Sequence, residues 1–280
     1  MLDDSSSEVP DEILSFYKQG REEKRLEQSN GPLELARTQD IIQRFIVPTP
    51  ARVLDVGGGA GIYAFWLAQL GYEVHLIDAT PLHIEQANAT QAHSPHPLAS
   101  TQVGDARHLN QADNSADAVL FLGPLYHLTE AADRQLALQE AYRVLKPGGI
   151  IFAVGISRFA SLLDGLRQNF ASDPHFASLI DADLIDGQHR NPTDQRGYFT
   201  TAYFHYPLDL ENEVKAAGFA EVNLLAIEGV GWLTTYFDGF WADSDKRQHL
   251  LEWVRKLETE PTLIGASSHL MATGRKPSIV

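Results

Sequence analysis

The chain has 280 residues, enough to bury a sizeable core as one large domain or as one domain with an appended lid. Its net charge of −15 argues against a nucleic-acid partner, which calls for clustered Lys and Arg to neutralise phosphates. It has no cysteine, which excludes disulfides, thiolate nucleophiles, Cys-ligated zinc and iron–sulfur clusters.

The first ten residues read as frayed. They are acidic and carry no apolar signal segment, and no later run approaches the ~20 apolar residues of a membrane span. The expectation is a cytoplasmic protein without membrane contact. Glu12 to Glu27 reads as a helix, with Ile13, Leu14, Phe16 and Tyr17 on or near one face. The mixed Arg21-Glu22-Glu23-Lys24-Arg25 run reads as its solvated side. Asn30-Gly31-Pro32 is a turn, and Leu33 to Ile46 a second helix, stopped by Pro48 and Pro50.

The next stretch organises the rest. Val53, Leu54 and Val56 are β-formers suited to a short buried strand, interrupted by Asp55, whose carboxylate is costly to bury alone. Gly57, Gly58, Gly59 and Gly61 follow, and then Ile62, Phe65, Trp66, Leu67 and Leu70 at helical spacing, closed by Gly71. A strand, a glycine-rich turn and a helix form a cofactor site at the carboxyl edge of a parallel sheet. Gly59-x-Gly61-x-x-Ala64 fits the dinucleotide fingerprint, a weak pattern by itself. The fuller Asp55-x-Gly57-x-Gly59-x-Gly61 resembles the first motif of the class I S-adenosylmethionine-dependent methyltransferases. The resemblance implies that Asp55 and the loop Gly57, Gly58, Gly59 and Gly61 hold the methionine end of the donor. The two N-terminal helices look like the cap that closes over the cofactor in small-molecule members. Tyr17 and Arg37 sit in that cap as a candidate catalytic group and a candidate donor contact, and half-buried packing and a surface ion pair are their plain alternatives.

Glu73 to Asp78 is the second strand. Asp78 ends it, where an acid can accept bonds from two ribose hydroxyls, with Ala79 beside it. The position serves nicotinamide cofactors equally, and a helix cap ahead of Pro81 is the plain reading. Pro81 to about His93 is a helix. His93 and His96 have no third ligand nearby, so no metal site is expected. Thr101 to Val103 is a short strand. Gly104-Asp105-Ala106 after it resembles the family's third motif, which implies contacts from Asp105 and Ala106 to adenine.

Asp117 to Leu122 is the fourth strand, followed by Gly123-Pro124-Leu125-Tyr126-His127. In the methyltransferase pattern Leu122 and Gly123 pass under the sulfonium. Tyr126 and His127 then face the acceptor, with His127 a candidate base titrating near the ordinary value of about 6.5. Thr129 to Leu145 is a helix, ended by Lys146-Pro147-Gly148-Gly149, and Ile150 to Ile156 is the fifth strand. The segment Arg143 to Phe152 is familiar from these methyltransferases. Residues 157–207 break the alternation, with aromatic residues through Tyr203, Phe204, His205 and Tyr206, and read as a lid or an interface. Tyr203 and His205 join the candidate catalytic groups. Glu211 to Ala217 is a helix, Glu221 to Ile227 a sixth strand, and Ser268 to Gly274 the closing strand.

The fold class expected is α/β, a doubly wound, mostly parallel seven-stranded sheet. The expected divisions are a helical cap over residues 1–50, a cofactor half over 51–156, a lid over 157–207, and the rest of the sheet over 208–280 with a second insertion at 229–266. The resemblance implies a methyltransferase that moves a methyl group to a small organic acceptor by in-line displacement and leaves S-adenosylhomocysteine. An NAD(P)-dependent oxidoreductase and a non-catalytic S-adenosylmethionine-binding protein are the alternatives. The acceptor and the methylated atom stay open, and so does a homodimer.

Overall fold

The structure is a computed structural model and describes residues 22–278, apart from 192 and 194. The reading of the first helix and of Tyr17 therefore lies mostly outside the described residues. Residues 22–27 form a 3-10 turn, and α1 (Gly31–Phe45) follows with Pro32 in its first turn.

A sheet runs through the molecule. Its parallel part has the order β3 (Ser100–Val103), β2 (Glu73–Asp78), β1 (Arg52–Val56), β4 (Ala116–Phe121) and β5 (Leu145–Ser157). The connections are α2 (Ile62–Gln69), α3 (Pro81–Gln91), the one-turn α4 (Pro124–His127) and α5 (Ala131–Val144). Beyond β5 the edge is antiparallel: β9 (His269–Arg275) pairs with β5, and β8 (Ala220–Ala226) with β9. These seven strands are the expected doubly wound sheet.

Strand residues alternate between two apolar layers, as the pleat requires. Leu54, Val119, Phe121 and Ile151 pack with Leu138 and Ala141 of α5 and with Leu210 and Val214 of α8 (Pro207–Ala216). Val53, Leu76, Leu120 and Phe152 pack on the other face with Ile41 of α1, Leu67 of α2 and Ile84 of α3.

The insertion after β5, expected as a lid or an interface, sends one of its strands into the sheet. It contains α6 (Ala160–Arg167), α7 (Pro174–Asp186), β6 (Gln188–His189) and β7 (Ala202–His205), and β7 joins the sheet. One edge of β5 is occupied by β9 as far as Ile156 opposite His269. The other edge pairs with β4 through Ala153, and then with β7 at Ile156 and Ser157. Strand β7 thus continues the lane of β4 beyond its carboxyl end and packs over α4. The sheet gains two short strands in this way. The second insertion carries α9 (Phe237–Ala242) and α10 (Ser244–Leu257).

A buried ion cluster ties the cap to this second insertion. Arg37 of α1 is 1% exposed, bonds to Asp40 and Glu258, and donates to the Ile227 carbonyl at 3.2 Å. Arg44 donates to both Glu258 oxygens at 2.7 and 2.8 Å. The carboxylate that follows α10 is therefore clasped by two arginines of α1. Removing one partner of such a cluster strands the rest, at a cost of about 3–5 kcal/mol. Glu258→Ala is expected to lower the unfolding free energy by about that amount, read as a lower denaturant midpoint at unchanged slope. An unchanged midpoint would show that the clasp carries no net stability.

Candidate active site

At the carboxyl edge of the parallel strands, two cavities meet. The first, of about 330 Å³, lies over β1 and β2 and is lined by Gly57, Gly58, Gly59, Asp78, Ala79, Asp105, Ala106, Leu122, Gly123, Tyr126 and His127. The turn after β1 builds its floor. Gly57 has φ +71°, and a Cβ there would stand 2.7 Å from Pro124 Cδ. Gly59 has φ +59°, and a Cβ there would meet nothing within 4 Å because it would project into open space. A ligand can therefore lie directly on this backbone.

Asp78 fastens the turn. Its Oδ2 accepts from the Gly59 N–H at 2.8 Å, and its Oδ1 from the Thr80 N–H at 2.8 Å. The ring Nδ1 of His83 lies 3.0 Å from the same Oδ1. His83 is buried, lines the cavity and was not singled out in the sequence. It stands two residues after Pro81 in α3, so the first turn of that helix aims it back at Asp78.

Asp55 does not line the cavity. It is fully buried beneath the loop, where a Cβ on Gly58 would meet its carboxyl group at 2.5 Å. Burial, with the nearby Asp78 charge adding to it, pushes the Asp55 carboxyl up to about 7, against the pull of the Ala64 amide. Gly61 also lies off the cavity, with φ +90° at the cap of α2. Asp105 has a partner that was not singled out in the sequence. Arg107 donates to it through its backbone N–H at 2.8 Å and through its guanidinium at 2.6 Å, and also reaches Asp133 at 2.9 Å. Burial raises the Asp105 carboxyl, but the Arg107 bonds outweigh it and hold it below the usual range.

His127 is half-buried between Tyr126, with ring centroids 4.7 Å apart, and Phe199 at 6.1 Å. Burial lowers its pKa to about 4, against the pull of the Thr201 backbone and Asp78. The ring is neutral above about pH 4, so the titration expected near 6.5 does not belong to it. At this pKa it is a weak base.

Arg37 lines neither cavity, because its guanidinium is taken up by Glu258 and Asp40. Tyr203 and His205 also lie off both. Tyr203 is capped by the Arg134 guanidinium, 3.7 Å from its ring centroid. His205 Nε2 lies 3.2 Å from Glu213, which Arg134 also holds at 2.8 Å. The expectation that these two face the acceptor is replaced by a polar cluster between β7, α5 and α8.

The second cavity, of about 450 Å³, shares Tyr126 and Arg25 with the first. Its walls come from the cap, both insertions and the start of β9. They include the aromatic rings of Phe176, Tyr198, Phe199 and Trp232 and the polar groups Glu34, Asp164, Arg167 and His269. Sequence reading located the aromatic insertions but none of these polar residues.

Residues 54–153 match the family model described as a methyltransferase domain. A ubiquinone/menaquinone biosynthesis C-methyltransferase of Ruegeria sp. is 29% identical over 195 residues, 65% of this chain and 71% of that protein. A methyltransferase of Streptomyces halstedii is 32% identical over 114 residues, 40% of each chain. A glycine/sarcosine N-methyltransferase of Parasynechococcus marenigrum is 37% identical over 101 residues, 35% of this chain and 36% of that one. Among solved structures, a protein from Pyrococcus horikoshii has a TM-score of 0.60 at 16% identity, over 94% of this chain and 98% of that one. An S-adenosylmethionine-dependent methyltransferase from Methanosarcina mazei has a TM-score of 0.58 at 16% identity, over 85% and 98%. These two show a common fold. The matched segment holds the glycine turn, Asp78, Asp105 and the strand after the Lys146-Pro147-Gly148-Gly149 bend, and it is over this segment that the chain is similar to the class I S-adenosylmethionine-dependent methyltransferases.

Proposed function

We propose that the chain moves a methyl group to a small organic acceptor by in-line displacement, with donor and acceptor in adjoining cavities. The observation that carries this reading is the meeting of the two cavities at Tyr126, one over the glycine turn and one walled by aromatic side chains. The first fits S-adenosylmethionine: an open backbone at Gly59, a carboxylate at the end of β2, and a second carboxylate at Asp105. In this reading the Gly57–Gly59 turn receives the methionine end, Asp78 the ribose hydroxyls, and Asp105 with the Ala106 backbone the adenine. When bound, S-adenosylmethionine supplies an electrophilic methyl on a cationic sulfur.

What the protein contributes is mainly position and exclusion of water. Tyr126 and His127, on α4 directly after the Gly123-Pro124 bend, stand at the boundary between the cavities. The neutral His127 ring can accept or donate a bond without carrying charge. Its proposed role is therefore to orient the acceptor. The second cavity, small and ring-lined, supports an organic acceptor over a nucleic acid. The relatives named above differ in the atom they methylate, so they do not select one here. Among the described residues no helix is long and apolar enough to cross a membrane.

Two measurements test this assignment. Asp78→Asn weakens charge-assisted bonds worth ~1.5–3 kcal/mol each, so calorimetric affinity for S-adenosylmethionine is expected to fall about 10–100-fold with the fold kept. Unchanged affinity would remove Asp78 from the donor site.

His127 has a sign that can be checked by pH. Its folded pKa of about 4 lies below the ordinary value of about 6.5, so between these the unfolded chain binds more protons. The ring's contribution to stability is present above pH 6.5 and lost as pH falls toward 4. His127→Gln is expected to flatten the fall of thermal midpoint over that range and to raise the acceptor KM more than it lowers kcat. A wild-type pH slope in the variant would show that the ring titrates alike folded and unfolded.

A further inference from the structure

The acceptor cavity contains an acid–histidine pair outside the matched family segment. Its elements converge on one edge. Strand β9 is antiparallel to β5, so its first residue, His269, lies at the carboxyl edge, opposite Ile156. Strand β8 runs the other way from β9, so Glu228, just after its end, reaches the same edge. Glu228 is fully buried. Its Oε1 lies 2.6 Å from His269 Nδ1, while its Oε2 accepts from the Ser267 hydroxyl and the His269 N–H, each at 2.9 Å. Both oxygens are thus satisfied, and the imidazole is held in one orientation with Nδ1 as the donor. His269 lines the cavity, and the ring nitrogen left to serve it is Nε2.

Glu34 of α1 adds a second carboxylate, with Oε2 3.8 Å from Nδ1. Arg25 neutralises Glu34 through bonds of 2.6 and 2.7 Å. Burial favours the neutral imidazole, but Glu34 and Glu228 outweigh burial and the opposing Arg25 charge, and hold the His269 pKa above the ordinary value. The three groups Glu34, Glu228 and His269 bring donor atoms within 4.8 Å of one another. Their oxygens and Nδ1 are already matched to partners inside the protein, which is the pattern of a proton relay and not of an open cation site.

We propose that His269, oriented by Glu228, is the general base of the acceptor cavity, and that the acceptor is an aromatic hydroxyl compound. This rests on the methyltransferase reading of the first cavity. A phenolic hydroxyl keeps its proton at neutral pH, since its reference pKa is about 10, and needs a base at the moment of attack. The rings of Tyr126, Phe176, Tyr198, Phe199 and Trp232 suit a flat aromatic body. In the reaction the acceptor oxygen forms a bond to the donor methyl as the methyl–sulfur bond breaks and its electron pair stays on sulfur. The hydroxyl proton passes to Nε2 of His269 and from there to water.

The probe is 4-nitrophenol, whose phenolate has a visible absorption band. It is added to the protein saturated with S-adenosylhomocysteine, whose binding is measured first by calorimetry. Wild type is expected to bind the probe with its apparent pKa lowered. His269→Gln is expected to move that pKa back up by about one unit or more. By NMR the His269 ring is expected to titrate above about 6.5 in wild type and lower in Glu228→Gln. With S-adenosylmethionine supplied, methylation of unsubstituted phenol, which keeps its proton at neutral pH, is expected to fall ~10²–10⁴-fold in His269→Gln. In Glu228→Gln the rising limb of the pH profile should move to lower pH. Retained S-adenosylhomocysteine binding shows that either variant has folded. Wild-type probe ionisation and rate in His269→Gln would overturn the role of the base. Failure of wild type to bind the probe while binding S-adenosylhomocysteine would overturn the acceptor class. Failure to bind S-adenosylhomocysteine at all would instead defeat the methyltransferase reading beneath it.

Discussion

The first cavity depends on one carboxylate. Asp78 ends β2 and receives the Gly59 N–H, the Thr80 N–H and the His83 ring together. These bonds, together with the Gly57 N–H donated to the Ile77 carbonyl at 2.7 Å, hold the turn after β1 against the strand beside it. An anion that meets several donors is stable even where it is almost fully covered. The neighbouring Asp55 has no comparable set and is pushed toward its neutral form, partly by Asp78 itself. Two acids near one loop thus take different roles: one accepts several bonds at the surface of the cavity, and the other is a buried support beneath it. The glycines follow from this geometry, because a side chain at Gly58 would collide with Asp55 and one at Gly57 with Pro124.

The donor half was legible because its parts are contiguous. Strand, turn and helix between Arg52 and Gln69 carry their own periodicities, and Asp78 and Asp105 each stand at the end of a short strand. The seven-stranded sheet followed from the same alternation. Legibility failed where a side chain has a distant choice of partner. Arg37 sits in the cap, where a donor contact was expected, yet its guanidinium finds Glu258, 221 positions along the chain. Tyr203 and His205 lie in an aromatic run that could face either way. The four-residue pairing of β7 turns them toward Arg134 and Glu213, away from the cleft. Arg107 stands two residues from Asp105, so its pairing had a local signal that was not used.

The second cavity has no such local grammar. Glu228 and His269 are 41 positions apart and meet only because β8 and β9 are antiparallel neighbours. The cavity wall takes residues from α1, α6, α7, the β6–β7 connection and the segment after β8. No short motif can encode a site assembled from so many separate segments. The periodic, strand-ending signals that marked the first cavity have no counterpart here.

The lane shared by β4 and β7 bears on how such a chain can diversify. Strand β7 meets β5 only at Ile156 and Ser157, after the last β4 contact at Ala153. The sheet is therefore complete as a scaffold before the insertion joins it. Length and composition can drift between residues 160 and 200 without altering the register of β1, β2 and β4. The same polypeptide thus separates a self-paired scaffold from an appended segment along its own backbone. The wall of the second cavity can change while the floor of the first is left as it stands.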